Sequence, residues 1–288
     1  MKVDWSTEAY CLIGDPVSHS LSPTMLNVAF EQAGLNCVYM AFKVSRENLE
    51  MAVKGLKALG FKGFNVTIPH KVEILKFLDD LDEASKMIEA VNVVKRENES
   101  LKGYNTDGLG ALKALEEAGV KVKGKGVLVL GAGGASRAIC FTLARETSRL
   151  VIANRTLDKA VKLAKDIKFK LGVEAKPISL KYEELKREVK DVDIIINATS
   201  VGMHPNVDEC PIDPNLIEEG KTVFDIVYKP LKTRLLREAE ARGAKTVDGL
   251  SMLVYVAAGS FEIWTGLKPP VEAMFRAALE KIGEEGFG

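Results

Sequence analysis

The segment Val127-Leu128-Val129-Leu130-Gly131-Ala132-Gly133-Gly134-Ala135-Ser136-Arg137-Ala138 runs from an apolar strand pattern through a glycine turn into a helix pattern. Gly131 permits a tight turn, and Gly133 lets the backbone approach a pyrophosphate closely. The following helix would aim free N–H groups and its positive dipole end at that pyrophosphate. Ser136 stands where a third glycine is usual, and a small side chain there still allows close packing. A purely structural turn would need neither the strand before nor the helix after. About twenty residues further on, NAD-binding units end a strand with Asp or Glu for the ribose 2′-hydroxyl. This chain has Asn154-Arg155-Thr156-Leu157-Asp158-Lys159 there. A carboxylate would repel a 2′-phosphate; Arg155 can pair with one, and Lys159 lies one helical turn away to assist. NADP(H) is the expected cofactor, with an ordinary surface arginine as the competing account.

The first third carries a second set of polar groups. In Phe64-Asn65-Val66-Thr67-Ile68-Pro69-His70-Lys71 an amide and a hydroxyl alternate with apolar residues, so both face one side of a strand. Lys71 follows where a helix is expected to start. A positive dipole end there opposes a cation and favours proton transfer from it. A solvated surface lysine fits the local sequence equally well. Ser20 and Ser22 follow the strand pattern Tyr10–Gly14; helix capping accounts for Ser22 but not for Ser20. Asn92 lies in an apolar strand pattern, Ala90–Lys95, and needs partners if buried. Asp107 suits an N-cap or, beside a lysine, an acid–base pair.

These groups need elements to position them. Strand patterns at 10–14, 37–43, 63–68, 90–95 and 101–104 alternate with helix patterns opened by Ser22-Pro23, by Asn48 and by Pro69-His70-Lys71. After the helix pattern from Asp107 to Gly119, strand patterns recur at 126–130, 150–153, 194–197 and 222–226. Helices fit at 157–167, 182–189, 249–264 and 271–282. Strands separated by helices predict an α/β protein with mainly parallel sheets.

Length and charge narrow the function. The 288 residues suit two domains, and Lys+Arg and Asp+Glu are balanced at 40 each. No basic surplus points to nucleic acid or to an anionic membrane, and no apolar run is long enough to span one. A small-molecule partner is expected instead. Cys11, Cys37, Cys140 and Cys210 form no CxxC pair, and the three histidines do not cluster, so no metal is expected. Reduced cysteines and the absence of a basic-then-apolar N-terminus predict a cytoplasmic protein. Gln32 is the only glutamine and lysine dominates the cations, a composition leaning towards a hot habitat.

Taken together, these segments resemble the shikimate dehydrogenase family. The resembling pieces are Ser20-Leu21-Ser22-Pro23, Asn65 to Lys71, Ala90-Val91-Asn92, Tyr104-Asn105-Thr106-Asp107-Gly108 and Gly131 to Ala135. They continue with Asn154-Arg155-Thr156, Asn197 to Met203, Asp225-Ile226-Val227-Tyr228 and Asp248-Gly249-Leu250. The resemblance implies NADPH reduction of 3-dehydroshikimate to shikimate in aromatic amino-acid biosynthesis. It implies a discontinuous α/β substrate domain, 1–107 with 249–288, and a Rossmann-like NADP-binding domain, 108–248. Substrate and nicotinamide would meet between these domains.

By the same resemblance Lys71 and Asp107 are the catalytic pair. Ser20, Ser22 and Tyr228 would hold the substrate carboxylate, and Asn65, Thr67, Asn92 and Asp107 its hydroxyl and carbonyl side. Gly131, Ala132, Gly133, Gly134 and Ala135 would cradle the pyrophosphate. Asn154, Arg155, Thr156 and Lys159 match the adenosine-phosphate loop, while Thr199, Ser200, Val201, Ile226 and Gly249 line the rest of the cofactor channel. A homodimer is compatible with the sequence. Three positions depart from the family pattern: Glu89 and Val93 around Asn92, and Val256 where a substrate-contacting glutamine is usual. Tyr255 or water would have to substitute for that amide. A quinate/shikimate dehydrogenase of broader range and a non-catalytic NADPH sensor are the competing expectations.

Overall fold

The computed structural model describes residues 3–284, which pack as two compact units: 3–106 with 254–284, and 107–253. The first unit contains β1 (Glu8–Gly14), α1 (Ser22–Gln32), β2 (Cys37–Lys43), α2 (Leu49–Ala58), β3 (Gly63–Val66), β4 (Asp80–Leu81), α3 (Glu83–Ile88), β5 (Val93–Glu97) and β6 (Ser100–Tyr104). Its sheet has the order β2-β1-β3-β5-β6-β4. β2, β1 and β3 run parallel, whereas β5 is antiparallel to both β3 and β6. Leu49, Val53 and Leu56 recur at helical spacing along α2 and are buried in a core with Cys11, Ile13, Phe64 and Val94.

The second unit contains α4 (Asp107–Glu117), β7 (Gly126–Leu130), α5 (Gly134–Leu143), β8 (Arg149–Asn154), α6 (Leu157–Leu171), β9 (Ala175–Ser179), α7 (Tyr182–Val189), β10 (Ile194–Asn197), β11 (Thr222–Asp225), α8 (Arg234–Ala241) and β12 (Lys245–Val247). Its strands are all parallel, in the order β12-β11-β10-β7-β8-β9. Numbered from β7, that is the 3-2-1-4-5-6 order of a Rossmann sheet. Val127 to Leu130 are fully buried, as expected of a central parallel strand covered on both faces. The two closing helices are α9 (Gly249–Thr265), which begins in the second unit and continues in the first, and α10 (Val271–Glu284), which packs on α1.

Three local expectations need correction. No α-helix starts at Pro69; residues 68–72 form turns, and a short 3₁₀ helix follows at Glu73–Phe77. The strand expected from Ala90 begins only at Val93, because Asn92 sits in a bend where its side chain bonds to Thr106. Ser22 is the first residue of α1 rather than its cap. Leu21 holds the cap position without a side-chain cap bond, and Ser20 Oγ accepts from the Ser22 amide at 3.2 Å just ahead of the helix.

Candidate functional site

Strand direction gathers the first-unit candidates at one end of their sheet. Because β1 and β3 are parallel, Ser20, Ser22, Thr67 and Lys71 all follow strand ends on the same side. Since β5 is antiparallel to β3 and to β6, Asn92, just before β5, and the chain leaving β6 lie at that end too.

Asn65 and Asn92 are buried there in a closed ring of hydrogen bonds whose directions can be deduced. Asn65 Nδ2 lies 3.0 Å from the Asn92 carbonyl, which can only accept, so the Asn65 amide orientation is settled. Its second N–H goes to Ser260 Oγ at 2.9 Å, and Ser260 donates to the Val256 carbonyl at 3.0 Å. Thr106 Oγ1 donates to the same carbonyl at 3.2 Å and therefore accepts from Asn92 Nδ2 at 3.1 Å. The Thr106 amide returns a bond to Asn92 Oδ1 at 2.9 Å. Tyr39 completes the set, donating from its hydroxyl to Asn65 Oδ1 at 2.7 Å. Burial pushes the Tyr39 phenol well above its ordinary range, so it stays a donor.

Both amide hydrogens of Asn65 are thus spent inside the unit, and one lone pair on Oδ1 is what remains for a ligand. Tyr39→Phe would leave that oxygen short of a buried partner, a change worth about 1–3 kcal/mol. The expected result is several-fold weaker binding of the small polar ligand taken at this end of the sheet, with nucleotide binding unmoved. Unchanged binding of that ligand would show that the ring does not serve the site.

Lys71 is half-buried in the turn beyond β3. Its carbonyl accepts from the Val91 amide at 2.7 Å, which ties this turn to the segment carrying Asn92. The neighbouring His70 is fully buried, with Nε2 at 2.7 Å from the Val44 carbonyl. That carbonyl only accepts, so Nε2 carries the proton. Lys71 is therefore positioned by a pinned backbone, and the helix-dipole account of it falls with the missing α-helix. Asp107 is buried as the first residue of α4. Tyr228 is half-buried in the second unit, beyond β11.

Apart from Asp107, which follows β6, the second-unit candidates follow the C-terminal ends of parallel strands, where α/β sheets bind their ligands. Gly131 leaves β7 at φ +114°, its amide donating to the Ala153 carbonyl at 2.7 Å. Ser136 Oγ closes the turn on the Gly131 carbonyl at 2.6 Å, so the small residue in place of a glycine stitches the loop. The first bond of α5 is Arg137 N–H to the Gly133 carbonyl, which leaves the amides of Gly134, Ala135 and Ser136 without a helical acceptor. In front of Gly133 the space is open: a Cβ there would meet nothing within 4 Å. Past β8, Asn154 Nδ2 bonds to the Thr156 carbonyl at 2.8 Å and bends the loop, leaving Arg155 and Lys159 exposed. Open space, unpaired amides and a cation without a carboxylate at the strand end fit a dinucleotide with a 2′-phosphate.

Thr199, Ser200 and Val201 follow β10, and Ile226 follows β11. Gly249 is buried where a side chain would collide with the Ile226 carbonyl, so close packing demands it. Tyr39, Thr106 and Ser260 had no local signal as site residues, because their partners are distant in sequence. Val256, in place of an expected glutamine, contributes through its carbonyl; Tyr255 has its ring edge-on to Phe275 at 6.1 Å.

Three family models match: shikimate dehydrogenase substrate binding domain over residues 12–94, shikimate / quinate 5-dehydrogenase over 113–226, and shikimate 5′-dehydrogenase C-terminal domain over 249–279. A shikimate dehydrogenase (NADP(+)) of Methanocaldococcus jannaschii is 49% identical over 281 residues, covering 97% of this chain and 99% of that protein. A crystal structure of a shikimate dehydrogenase in complex with NADP+ has TM-score 0.91 at 47% identity, over 98% of each chain. The Thermus thermophilus shikimate 5-dehydrogenase in complex with NADP(H) and shikimate has TM-score 0.86 at 37% identity, covering 95% of this chain and 99% of that one. No helix among the described residues is long and apolar enough to cross a membrane.

Proposed function

The chain belongs to the shikimate dehydrogenase family, and we propose that it catalyses the reversible NADPH-dependent reduction of 3-dehydroshikimate to shikimate in aromatic amino-acid biosynthesis. The observation that carries this reading is likeness along nearly the whole chain to relatives of that name. Residues 1–107 with 249–288 serve as the substrate-binding and catalytic domain, and 108–248 as the NADP-binding domain.

NADPH, when bound, supplies the hydride. The chain's own task is to orient a carbonyl and move one proton. Lys71, as an ammonium, donates to the oxygen as it becomes an alkoxide, and Asp107 accepts from a ring hydroxyl and steadies the lysine. Ser20, Ser22 and Tyr228 take the substrate carboxylate. Thr67 and Asn92 address the hydroxyl side, with Asn65 holding Asn92 in place and offering its remaining lone pair. Neutral amides and hydroxyls suit a polyhydroxylated ring, because each buried group left unpaired rejects a wrong substrate. The amides around Gly131 to Ala135 receive the pyrophosphate, and Asn154, Arg155, Thr156 and Lys159 the adenosine phosphate. Thr199, Ser200, Val201, Ile226 and Gly249 line the rest of the channel.

The same reading makes the protein cytoplasmic, independent of nucleic acid, and a homodimer to be checked by light scattering. The activity is tested by following nicotinamide absorbance with shikimate or quinate, each offered NADP+ or NAD+. Rapid reduction of NADP+ by shikimate alone is expected. Arg155→Ala should raise the KM for NADP+ by roughly 10–100-fold, the worth of a charge-assisted bond to phosphate, without improving NAD+. Equal rates with quinate or NAD+ would place the protein in the broader quinate/shikimate branch. Tight NADPH binding with no turnover would make it a sensor.

A further inference from the structure

Asp225, at the C-terminal end of β11, is fully buried. Its carboxylate accepts from three donors: Asn197 Nδ2 at 2.9 Å and the Val227 amide at 3.0 Å on Oδ1, and Thr233 Oγ1 at 2.6 Å on Oδ2. Thr233 also accepts from the Leu236 amide at 3.3 Å and so caps α8. Because Asn197 turns its NH₂ towards the carboxylate, its Oδ1 faces the loop after β10. There it accepts from Thr199 N–H at 3.1 Å and Thr199 Oγ1 at 2.7 Å, and Thr199 Oγ1 in turn accepts from the Val201 amide at 3.1 Å. This loop abuts the glycine turn after β7. The Ala198 amide donates to the Leu130 carbonyl at 2.9 Å, and a Cβ on Gly131 would lie 2.9 Å from the Ala198 carbonyl.

We propose that Asp225 is a positioning residue for the nucleotide crevice: its carboxylate, acting through Asn197, sets the Thr199–Val201 loop against the glycine turn. The inference rests on NADP(H) being the ligand of that crevice. An asparagine at 225 that keeps its oxygen on Asn197 and Val227 turns its NH₂ towards Thr233 Oγ1, so the Thr233 hydroxyl must accept where it donated, and the negative charge that strengthens the bond from Asn197 is lost.

Burial pushes the Asp225 carboxyl up to about 6, against the lowering effect of its three hydrogen bonds. With a native pKa above the unfolded one, its contribution to stability is present below the ordinary carboxylate range and lost as pH rises through about 6. At neutral pH the fold therefore keeps a buried charge at a cost in stability, as functional positions do. Tyr228 and the buried Lys229 follow Asp225 within four residues on the same loop. Cys210, in the loop between β10 and β11, interacts with Asp225; Arg234 and Glu238 of α8 act on Cys210. Asp248, just past β12, spends its carboxylate on the amides of Leu250 and Ser251. Lys245 enters β12 at the opposite end, paired with Thr222.

The test is a fluorescence titration of NADPH, without second substrate, across pH values on both sides of about 6, for the full-length wild type, Asp225→Asn and Thr233→Val. Asp225→Asn should weaken NADPH roughly tenfold at neutral pH, the order expected for bonds to a charged group. Its disadvantage should shrink towards nothing as the wild-type carboxylate protonates. The ligand's own 2′-phosphate, with a second pKa of about 6, titrates against both proteins and cancels in the ratio. Thr233→Val keeps the carboxylate but removes its shortest bond, and should move the wild-type break to higher pH. A merely structural role would lower the unfolding midpoint and leave the ratio flat with pH. A flat ratio, or wild-type affinity in Asp225→Asn, overturns the proposal. If Asp225→Asn does not fold, an unshifted break in Thr233→Val overturns it. Failure of the wild type to bind NADPH is a separate outcome, which removes the nucleotide reading and this inference with it.

Discussion

Lys71→Ala is expected to lower turnover of shikimate with NADP+ by roughly 10²–10⁴-fold, the usual worth of a positioned general acid–base group, while NADPH affinity stays near the wild-type value. The structure gives the reason for expecting so selective a loss. Lys71 belongs to the unit with the amide ring, and the nucleotide turn belongs to the other. Its main chain is held on both sides, by the Val91 amide on its own carbonyl and by the Ile74 amide on the carbonyl of His70. Truncating the side chain thus removes the ammonium without freeing the turn. The unfolding midpoint should hardly move, since a half-buried lysine contributes little to the core. Steady-state rates and NADPH fluorescence on the same preparation decide the matter. Comparable losses in both would mean that Lys71 supports the fold and does not handle the proton.

The other large effect is expected in the glycine turn, where two substitutions should separate cause from consequence. At Gly131, φ is +114°, a region L-residues rarely enter, and a Cβ would also stand 2.9 Å from the Ala198 carbonyl and 3.1 Å from Thr199 Cγ2. Gly131→Ala should therefore cost about 1–3 kcal/mol in backbone strain alone, with more from the contact, and lose NADPH binding as the loop shifts. Gly133 has φ −87° and ψ −171°, extended backbone that any residue adopts, with nothing within 4 Å of a Cβ. Gly133→Ala should leave the unfolding midpoint unchanged and still weaken NADPH by at least roughly tenfold, because the methyl group occupies the space the pyrophosphate needs. Calorimetry with nucleotide titration checks both. A Gly133→Ala protein that binds NADPH normally would remove the pyrophosphate from that position.

Much of this was legible in the chain before any fold was known, and the legible parts share a character. The turn from Gly131 to Ala135, the strand end at Asn154-Arg155 and the paired polar residues Asn65 and Thr67 are all local. Each states its chemistry within a few residues, through backbone freedom, charge or strand alternation. Helix limits were equally plain in α7 at Tyr182–Val189, where Leu185 and Val189 recur one turn apart among charged residues. Short-range competition was harder to read. Ser20 rather than Ser22 serves the start of α1, because the hydroxyl two residues ahead of the amide is the one that reaches it. The run after Pro69 turns instead of entering an α-helix, since His70 is drawn inward to the Val44 carbonyl.

The sequence by itself determined the α/β class, the nucleotide turn and the residue types available for proton transfer, because these follow from local backbone geometry and charge. Only the tertiary structure decided how those residues are held. Asn65 meets Tyr39 across 26 residues and Ser260 across 195, and Asp225 reaches Asn197 across 28. No spacing rule foretells such pairs. They exist because burial strips water from every polar atom in the interior, so each must find whichever donor or acceptor the packing of strands and helices has brought within reach.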